Sequence, residues 1–523
     1  MSSAPESFWQ RNKDRFITGA FLLLLAYSVL RNILRAAIHP FWFDELCTLI
    51  MAHQPNLAAL WSALTGAADS QPPPFYLVEK LAGHIIPNEQ IAFRLPSILG
   101  FCCMEWCLFV WLKRRHSAAI AFAASLIPFL TPIYTVYATE ARGYSLSLAG
   151  LCLALVAYQR APKGRWILLL AFSLAAAQSA HFYSFIMMTP FFAAEAVFAL
   201  KTKLFRWSVW AALFCGILPL IAFWPMLARI KAYYSEHPWM MHPTLFGTLH
   251  IYGWLFGISR AAPGSSYWPF VTWFLLAAGC IVISFLLIYR ALRSDPSQEP
   301  FFHEGVLIAG FLLLPVVLFV VIKLTHGVLA PRYLLAVTFG FVFAAARGLN
   351  YLNPRSVFLI GTLLCASVAI LDAEFWFSFY GSYQLGFQQP KPVEQLTAKA
   401  GRPDLPIVVA DGHDYLETDH YAPPALRQRL TFLADPSAAI AFNRSDFNDK
   451  ELLALRGFAP IRVFEYAKFK DSRTVFLLYS NPTPENTPDW FVLHLLNDRW
   501  SVQKLASDGH NTVYLVEPPR ETH

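Results

Sequence analysis

The sequence predicts a polytopic α-helical membrane protein of about eleven transmembrane helices, each needing about 20 apolar residues, followed by a C-terminal extracytoplasmic α/β domain. Three observations lead there. Of 523 residues, 56% are hydrophobic and only 14% charged, far less charge than a soluble chain of this length carries. Apolar runs long enough to span a bilayer recur to about residue 376 and then stop. Lysines and arginines gather at alternate ends of those runs, as they do where they fix topology.

The elements follow in order. Met1 to Phe16 is polar and carries Arg11, Lys13 and Arg15. The run from Ile17 to Ile38 is too long for a signal-peptide core, and no small-x-small cleavage site follows it, so it reads as an uncleaved first span. Residues 39–92 form a long first loop. Within it Leu46–Ala52 and Phe75–Ile86 are apolar enough to lie on the membrane as interfacial helices, and Pro72-Pro73-Pro74 breaks the chain before the second. Further spans are expected at 93–112, 118–138, 143–159, 166–180, 184–200, 207–228, 269–289, 304–323, 331–349 and 356–376; over 166–200, two short helices compete with one long one.

The basic clusters Arg11/Lys13/Arg15, Lys113-Arg114-Arg115, Arg160/Lys163/Arg165, Lys201/Lys203/Arg206, Arg290/Arg293 and Arg347/Arg355 all fall on one side of this arrangement. The positive-inside rule makes that side, and the N-terminus, cytoplasmic. The opposite side then receives 39–92, the turn at 139–142, the turn near His181, the loop 229–268, the turn at 324–330 and everything after 376. The expected division is a transmembrane domain over 1–376 and an outer domain over 377–523.

In that outer domain Pro406–Ala410, Leu430–Leu433, Ile461–Tyr466, Thr474–Tyr479 and Thr512–Val516 read as strands. Glu394–Ala400 and Tyr415–Leu430, the latter interrupted at Pro423-Pro424, read as helices. There is no GxGxxG or GxxxxGK[ST] and no short-period repeat. The net charge of +7 belongs to span ends rather than to a basic tract, so nucleic acid is not an expected partner. The eight cysteines, Cys47, Cys102, Cys103, Cys107, Cys152, Cys215, Cys280 and Cys365, lie in or beside apolar runs with no zinc-ligand spacing, and the outer domain has none to build disulfides from.

Chemistry concentrates on the predicted outer face. Asp44-Glu45 places adjacent carboxylates at the mouth of the bilayer, where such groups are costly unless water, a cation or a substrate uses them. One can act as a general base while the other holds a cation or orients an acceptor; the plain alternative is a solvated acid pair in a loop. In Glu140-Ala141-Arg142-Gly143-Tyr144 the guanidinium of Arg142 suits a phosphate, with Glu140 orienting it, against the simpler reading of an ion pair capping two helices. His181, in His181-Phe182-Tyr183, is either a satisfied structural histidine or a phosphate or sugar contact. Lys323, His326 and Arg332 open the same choice between snorkelling to lipid headgroups and gripping a lipid-linked phosphate, as does Arg94. His413, Glu417 and His420 have helical spacing for a metal, although a solvated polar face is the expected role.

Taken together these residues resemble the GT-C glycosyltransferases, specifically the bacterial families related to protein O-mannosyltransferases and lipid A aminoarabinose transferase. The resemblance covers roughly the first 340 residues. An Asp-Glu near the start of the first outer loop is matched by Asp44-Glu45, and a His-Pro-Pro-Leu-Tyr-Tyr-like stretch by Gln71-Pro72-Pro73-Pro74-Phe75-Tyr76. Arg-Leu-Pro-Ser is matched by Arg94-Leu95-Pro96-Ser97, Glu-x-Arg-x-Tyr by Glu140, Arg142 and Tyr144, and a late Arg-Tyr-Leu-Leu by Arg332-Tyr333-Leu334-Leu335. Gln71 departs from the family histidine and Pro74 from its leucine; glutamine hydrogen-bonds but takes no proton.

The resemblance implies the GT-C fold and an integral protein of the bacterial inner membrane. It implies a polyprenyl-phosphate-linked sugar donor, a lipid, glycan or protein acceptor, and transfer outside the membrane by inverting displacement. Asp44 would then be the base and Glu45 its companion. Arg94, Glu140, Arg142, Tyr144, His181, Lys323, Arg332 and Tyr333 would serve the donor, and Gln71 and Tyr76 the acceptor side. A divalent cation is the one cofactor the acid pair suits, with Glu45 as its ligand. Two competing readings are a flippase of lipid-linked saccharides, which should show midplane polar groups and inverted repeats, and a non-catalytic envelope-glycan assembly factor, which Gln71 keeps open.

Overall fold

The computed structural model of the chain describes residues 8–234, 244–258, 268–325, 330–384, 392–481 and 489–519. The chain divides into two compact units: Met1–Ile38, Leu81–Phe223 and Met241–Gly381 form the first, and His39–Lys80, Trp224–Met240 and Ser382–His523 the second. The early part of the first loop is thus grouped with the C-terminal residues.

The first unit is helical. Asn12–Ile38, Glu89–Lys113, Ser184–Thr202, Val271–Arg293 and Pro354–Tyr380 are long and apolar enough to cross a bilayer, and Ala118–Leu130, Tyr144–Tyr158, Gly164–Ala180 and Val337–Leu349 are shorter apolar helices. These make the chain an integral membrane protein. Over 166–200 the two-helix alternative holds, as Gly164–Ala180 and Ser184–Thr202. Several expected spans are broken where proline removes a backbone donor. The 118–138 segment is Ala118–Ser125, a 3-10 turn at Pro128–Leu130, and Pro132–Tyr137. Phe302–Leu312 and Leu314–Thr325, which carries Pro315, meet at a 60° bend. The 331–349 segment opens as a 3-10 turn, Pro331–Leu334, before Val337–Leu349.

Lipid gives helices no hydrophobic reason to associate, so close backbone approach at small residues matters more. A Cβ on Gly100 would lie 2.9 Å from the Ser145 carbonyl carbon, and one on Gly150 2.8 Å from the Ser173 carbonyl oxygen. These approaches seat Tyr144–Tyr158 between Leu95–Lys113 and Gly164–Ala180, and with it the turn that holds Arg142. Two residues of the predicted cytoplasmic clusters are tied down inside the bundle. Arg115 pairs with Glu304 at 2.6 Å, and Arg206 Nε donates to Glu195 Oε1 at 2.9 Å while Tyr158 donates to Glu195 Oε2 at 3.1 Å.

The second unit holds the sheet. β1 (Ile407–Val409), β2 (Leu430–Ala434), β3 (Val463–Glu465), β4 (Phe476–Ser480), β5 (Ser501–Ser507) and β6 (Thr512–Glu517) run in the order β3-β2-β1-β4-β6-β5. The first four are mutually parallel where paired, with Ile407 opposite Leu430 and Leu477, and β6 is antiparallel to β4 and β5. β1, β2 and β4 are buried throughout, so they read as continuous apolar runs. β5 went unread because its residues are mostly exposed and polar.

The first-loop helices Phe43–Ala52, Leu57–Thr65 and Pro73–Ile85 start in this unit. The first was expected on the membrane surface, but all its residues except Asp44 and Ile50 are buried. Its apolar side chains pack against protein rather than lipid. The exposed large apolar residues of the loop are instead Leu57 and Trp61 on an unforeseen helix, with Leu77, Val78, Leu81 and Ile85 on the next. Hydrogen bonds tie the loop to the C-terminal part of the unit: Phe41 N–H donates to the Tyr421 hydroxyl at 2.6 Å, and Gln54 Nε2 to the Phe458 carbonyl at 3.1 Å.

Candidate active site

Asp44 and Glu45 lie in the first turn of Phe43–Ala52. Backbone N–H groups are unpaired at a helix start and the dipole there favours negative charge, so the fold itself stabilises an acid pair at this position. The two differ in setting. Glu45 is 1% exposed and accepts the Trp42 N–H at 3.4 Å, whereas Asp44 is half-buried. A carboxylate that remains reachable can take a proton from a substrate; one sealed in the helix start orients its surroundings.

His413 approaches this end from the C-terminal domain. Its helix, Gly412–Tyr421, is capped by Asp411, which accepts the His413 N–H at 2.8 Å and the Asp414 N–H at 3.1 Å. The imidazole meets the Phe43 ring edge to face at 4.5 Å between centroids, and its Nδ1 is 3.6 Å from Asp411. Burial opposes its charge, but the Asp411 side chain, then Asp44 and Glu417, hold its pKa above the ordinary histidine value. An imidazole on the acid helix was not foreseen; the sequence pointed to His413 only through its spacing to Glu417 and His420. His420 instead packs against Phe41 and Tyr421. No group of three or more His, Cys, Asp or Glu suited to a metal occurs among the described residues. The donors around Glu45 among the described residues do not make up a cation site by themselves.

Gln71 is 4% exposed, and its N–H donates to the Tyr76 hydroxyl at 3.1 Å. Tyr76 is fully buried, so its hydroxyl holds the turn before Pro73–Ile85. The Gln71 Oε1 is buried with no hydrogen-bond partner among the described residues. Glu79, on the same helix as Tyr76, is fully buried as well.

In the first unit, turns between helices converge on His181. It caps Gly164–Ala180 in an extended conformation and is 2% exposed. Tyr144 opens the preceding helix and lies 4.8 Å from the His181 ring; Tyr333, in the 3-10 turn at Pro331–Leu334, lies 5.4 Å away. Tyr183 stacks on Tyr333 at 4.0 Å, and Tyr137 meets Tyr144 edge to face at 4.9 Å. Burial, then the charges of Arg142 and Arg332, push the His181 pKa down to about 3, so the imidazole is neutral. Arg142 is 5% exposed; its N–H donates to the Glu140 carbonyl at 2.8 Å and its own carbonyl accepts the Ser97 hydroxyl at 3.0 Å, which fixes the turn.

The structure thus brings Arg142, Tyr144, His181, Arg332 and Tyr333 together, with Glu140 in the same turn as Arg142. Tyr137 and Tyr183 join them; neither was given a role from sequence, and an aromatic beside each basic turn was the signal that could have found them. Arg94 is directed elsewhere, donating to the Ala36 carbonyl at 3.0 Å. Lys323 is exposed at the end of its helix, with its ammonium 5.8 Å from the Phe319 ring centre. His326 lies outside the described residues.

No protein-family model matches the chain, and no curated protein does. Solved structures do. The apo crystal structure of ArnT from Cupriavidus metallidurans is 14% identical with a TM-score of 0.54, covering 95% of this chain and 98% of that one. The structure of the same protein bound to undecaprenyl phosphate gives a TM-score of 0.51 at 14% identity over the same shares. The chain therefore shares the overall fold of these ArnT structures.

Proposed function

We propose that this protein is a glycosyltransferase that moves a sugar from a polyprenyl-phosphate donor to an acceptor hydroxyl on the outer face of the membrane, with inversion. The observation that carries the reading is the convergence of Arg142 and Arg332 on a neutral, buried His181 among tyrosines. Two guanidiniums that bear on one uncharged imidazole suit a phosphate, and their forked donors match its oxygens. Tyrosines supply flat apolar faces and hydroxyls of the kind a sugar or prenyl phosphate headgroup meets. The similarity in fold to an ArnT crystallised with undecaprenyl phosphate supports this reading.

In this reading Asp44 removes the acceptor proton as the hydroxyl attacks the anomeric carbon, and the bond to the lipid phosphate breaks on the opposite face. Arg142 and Arg332 stabilise the charge that accumulates on the departing phosphate, and His181, being neutral, donates or accepts a hydrogen bond without adding charge. Glu45 orients the acid end. Arg94 acts through the chain, holding the end of the first helix.

Mass spectrometry of lipids and envelope glycans from cells with and without the gene tests the reading directly. A sugar-bearing species that disappears with the gene, and returns with the purified protein and a polyprenyl-phosphate sugar, is the expected result; an unchanged profile counts against it. The topology is separately exposed to test. A reporter fused after Gln384 should be active outside the cytoplasm and one after Arg115 inside; the reverse pattern would remove Asp44 from the outer face.

A further inference from the structure

The helices of the first loop enclose a groove that the proposed chemistry does not use. It measures about 340 Å³ and is lined by residues of Phe43–Ala52, Leu57–Thr65 and Pro73–Ile85 and of the turn after the first. The lining is mostly carbon. Met51, Leu60 and Tyr76 are buried, and Leu57 and Leu77 are exposed, so the apolar wall runs from the interior out to the surface. Polar groups along it serve the protein itself: the Tyr76 hydroxyl accepts the Gln71 N–H at 3.1 Å, and Gln54 Nε2 donates to the Ile50 carbonyl at 3.0 Å and to that of Phe458 at 3.1 Å. Among the described residues that line the groove, Lys80 alone carries a charge, and its ammonium reaches the Gln54 carbonyl at 2.5 Å.

A ligand for such a place brings an apolar chain, which sheds water against the carbon wall, and one anionic group for one ammonium. Small-ligand sites span about 300–1,000 Å³, and a groove at the lower end of that range suits a single hydrocarbon chain. The polypeptide tethers it to lipid. Pro73–Ile85 is followed, after three residues that reach at most about 14 Å, by Glu89–Lys113, which is long and apolar enough to cross a bilayer. Leu77, Leu81 and Ile85 are exposed at four-residue spacing on one helix face, and Leu57 and Trp61 repeat the spacing on Leu57–Thr65. Apolar stripes accompanied by tryptophan and lysine belong at the headgroup boundary of a bilayer.

We propose that this groove binds an anionic glycerophospholipid of the adjacent leaflet, with one acyl chain against Met51 and Leu60 and the phosphate at Lys80. The groove shares no residue with the turns that bear Arg142 and Arg332, and its ligand is a lipid of the surrounding bilayer rather than the sugar donor. The bound chain takes the place of water over the apolar wall of the first loop, and the single cation selects lipids by the sign of their headgroup.

The test needs no transferase activity. Purified full-length protein is placed in vesicles of phosphatidylglycerol or of phosphatidylcholine, each with a diazirine in one acyl chain, and irradiated. Peptide mass spectrometry should find adducts on Met51 and Leu60, which are buried from bulk lipid. They should be about fivefold more abundant with phosphatidylglycerol, the worth of one lysine near an anionic lipid. Lys80→Gln should remove that preference, and Leu60→Trp, which fills the groove, should remove the adducts with either lipid. Should Leu60→Trp fail to fold, the Lys80→Gln comparison still decides. Adducts confined to the exposed Leu57, Leu77 and Leu81 overturn the proposal, because lipid then only wets the surface. So does a preference for phosphatidylglycerol that survives in Lys80→Gln. Adducts on Met51 and Leu60 that appear only when the protein is diluted in the vesicles overturn it as well, since a second copy then covers the groove.

Discussion

In the second unit the acids Asp44 and Glu45 open a single helix whose remaining residues are almost all buried, whereas in the first the arginines Arg142 and Arg332 come from two turns more than 180 residues apart in sequence. The acid end is built locally: neighbours in sequence share a helix start, and one backbone feature stabilises both. The phosphate end is built globally, since its members meet only when the helices that bear them pack. Damage to the acid end should therefore act on chemistry with the fold intact, while the phosphate end should be vulnerable both to loss of its own side chains and to faults in helix packing.

The largest effect expected is at the base. Asp44→Asn retains size and hydrogen bonding but loses basicity, and general-base assistance is worth about a hundred- to ten-thousandfold in rate. Turnover of a purified lipid-linked sugar should fall by that order, with donor binding and thermal unfolding unchanged. Glu45→Gln should do less. A dead Glu45→Gln beside a working Asp44→Asn would exchange their roles.

At the phosphate end, Arg142→Ala and Arg332→Ala each remove charge-assisted hydrogen bonds worth about 1.5–3 kcal/mol, or about ten- to a hundredfold in donor affinity. Lysine at either position should restore part of this, because it has charge without the fork. Donor titrations decide the matter: unchanged affinity in both alanine variants would leave Arg142 with a structural role in its turn and Arg332 as a lipid anchor.

A packing fault sharpens the contrast. Gly150→Leu drives a side chain into Ser173 and Ala177. Overpacking of this kind costs about 1–3 kcal/mol and should appear as a lowered thermal midpoint together with weakened donor binding. If the same variant loses rate while donor affinity and melting are unchanged, the turn at Arg142 does not depend on this helix contact.

The smallest effect is electrostatic. His413 is charged below its raised pKa and neutral above it, and its charge, which bears on Asp44, favours that carboxylate. His413→Gln should therefore move the acidic limb of the rate profile to higher pH, by less than about one unit at a half-buried site. A limb that does not move would mean that the imidazole serves only the Phe43 contact.

These contrasts also show what the sequence made legible. Apolar runs identified the helices because lipid imposes that composition over their whole length; β1, β2 and β4 were readable as buried, largely apolar strands, and β3 and β6 as short runs of β-branched and aromatic residues. β5 obeys neither rule. The breaks at Pro128, Pro132 and Pro315 were visible as residues, but the long hydrophobic windows outweighed them. Charge counting alone led to the expectation that the acid pair and the basic turns share one side of the membrane. Their surroundings were out of its reach: the position of His413 on the acid helix depends on how the C-terminal helix docks on Phe43, and the burial of Glu79 on which face of its helix turns inward. The burial of Phe43–Ala52 ran against expectation because an apolar helix in a loop looks the same whether protein or lipid covers it.

The two outer strands of the sheet carry one further consequence. β3 has only three residues, and β5 breaks its register between Lys504 and Ala506 and presents Lys504 to solvent. A short edge on one side, and a bulged, charged edge on the other, give a neighbouring chain little unpaired backbone to add to. Many copies can then lie side by side in a crowded membrane without their sheets joining edge to edge.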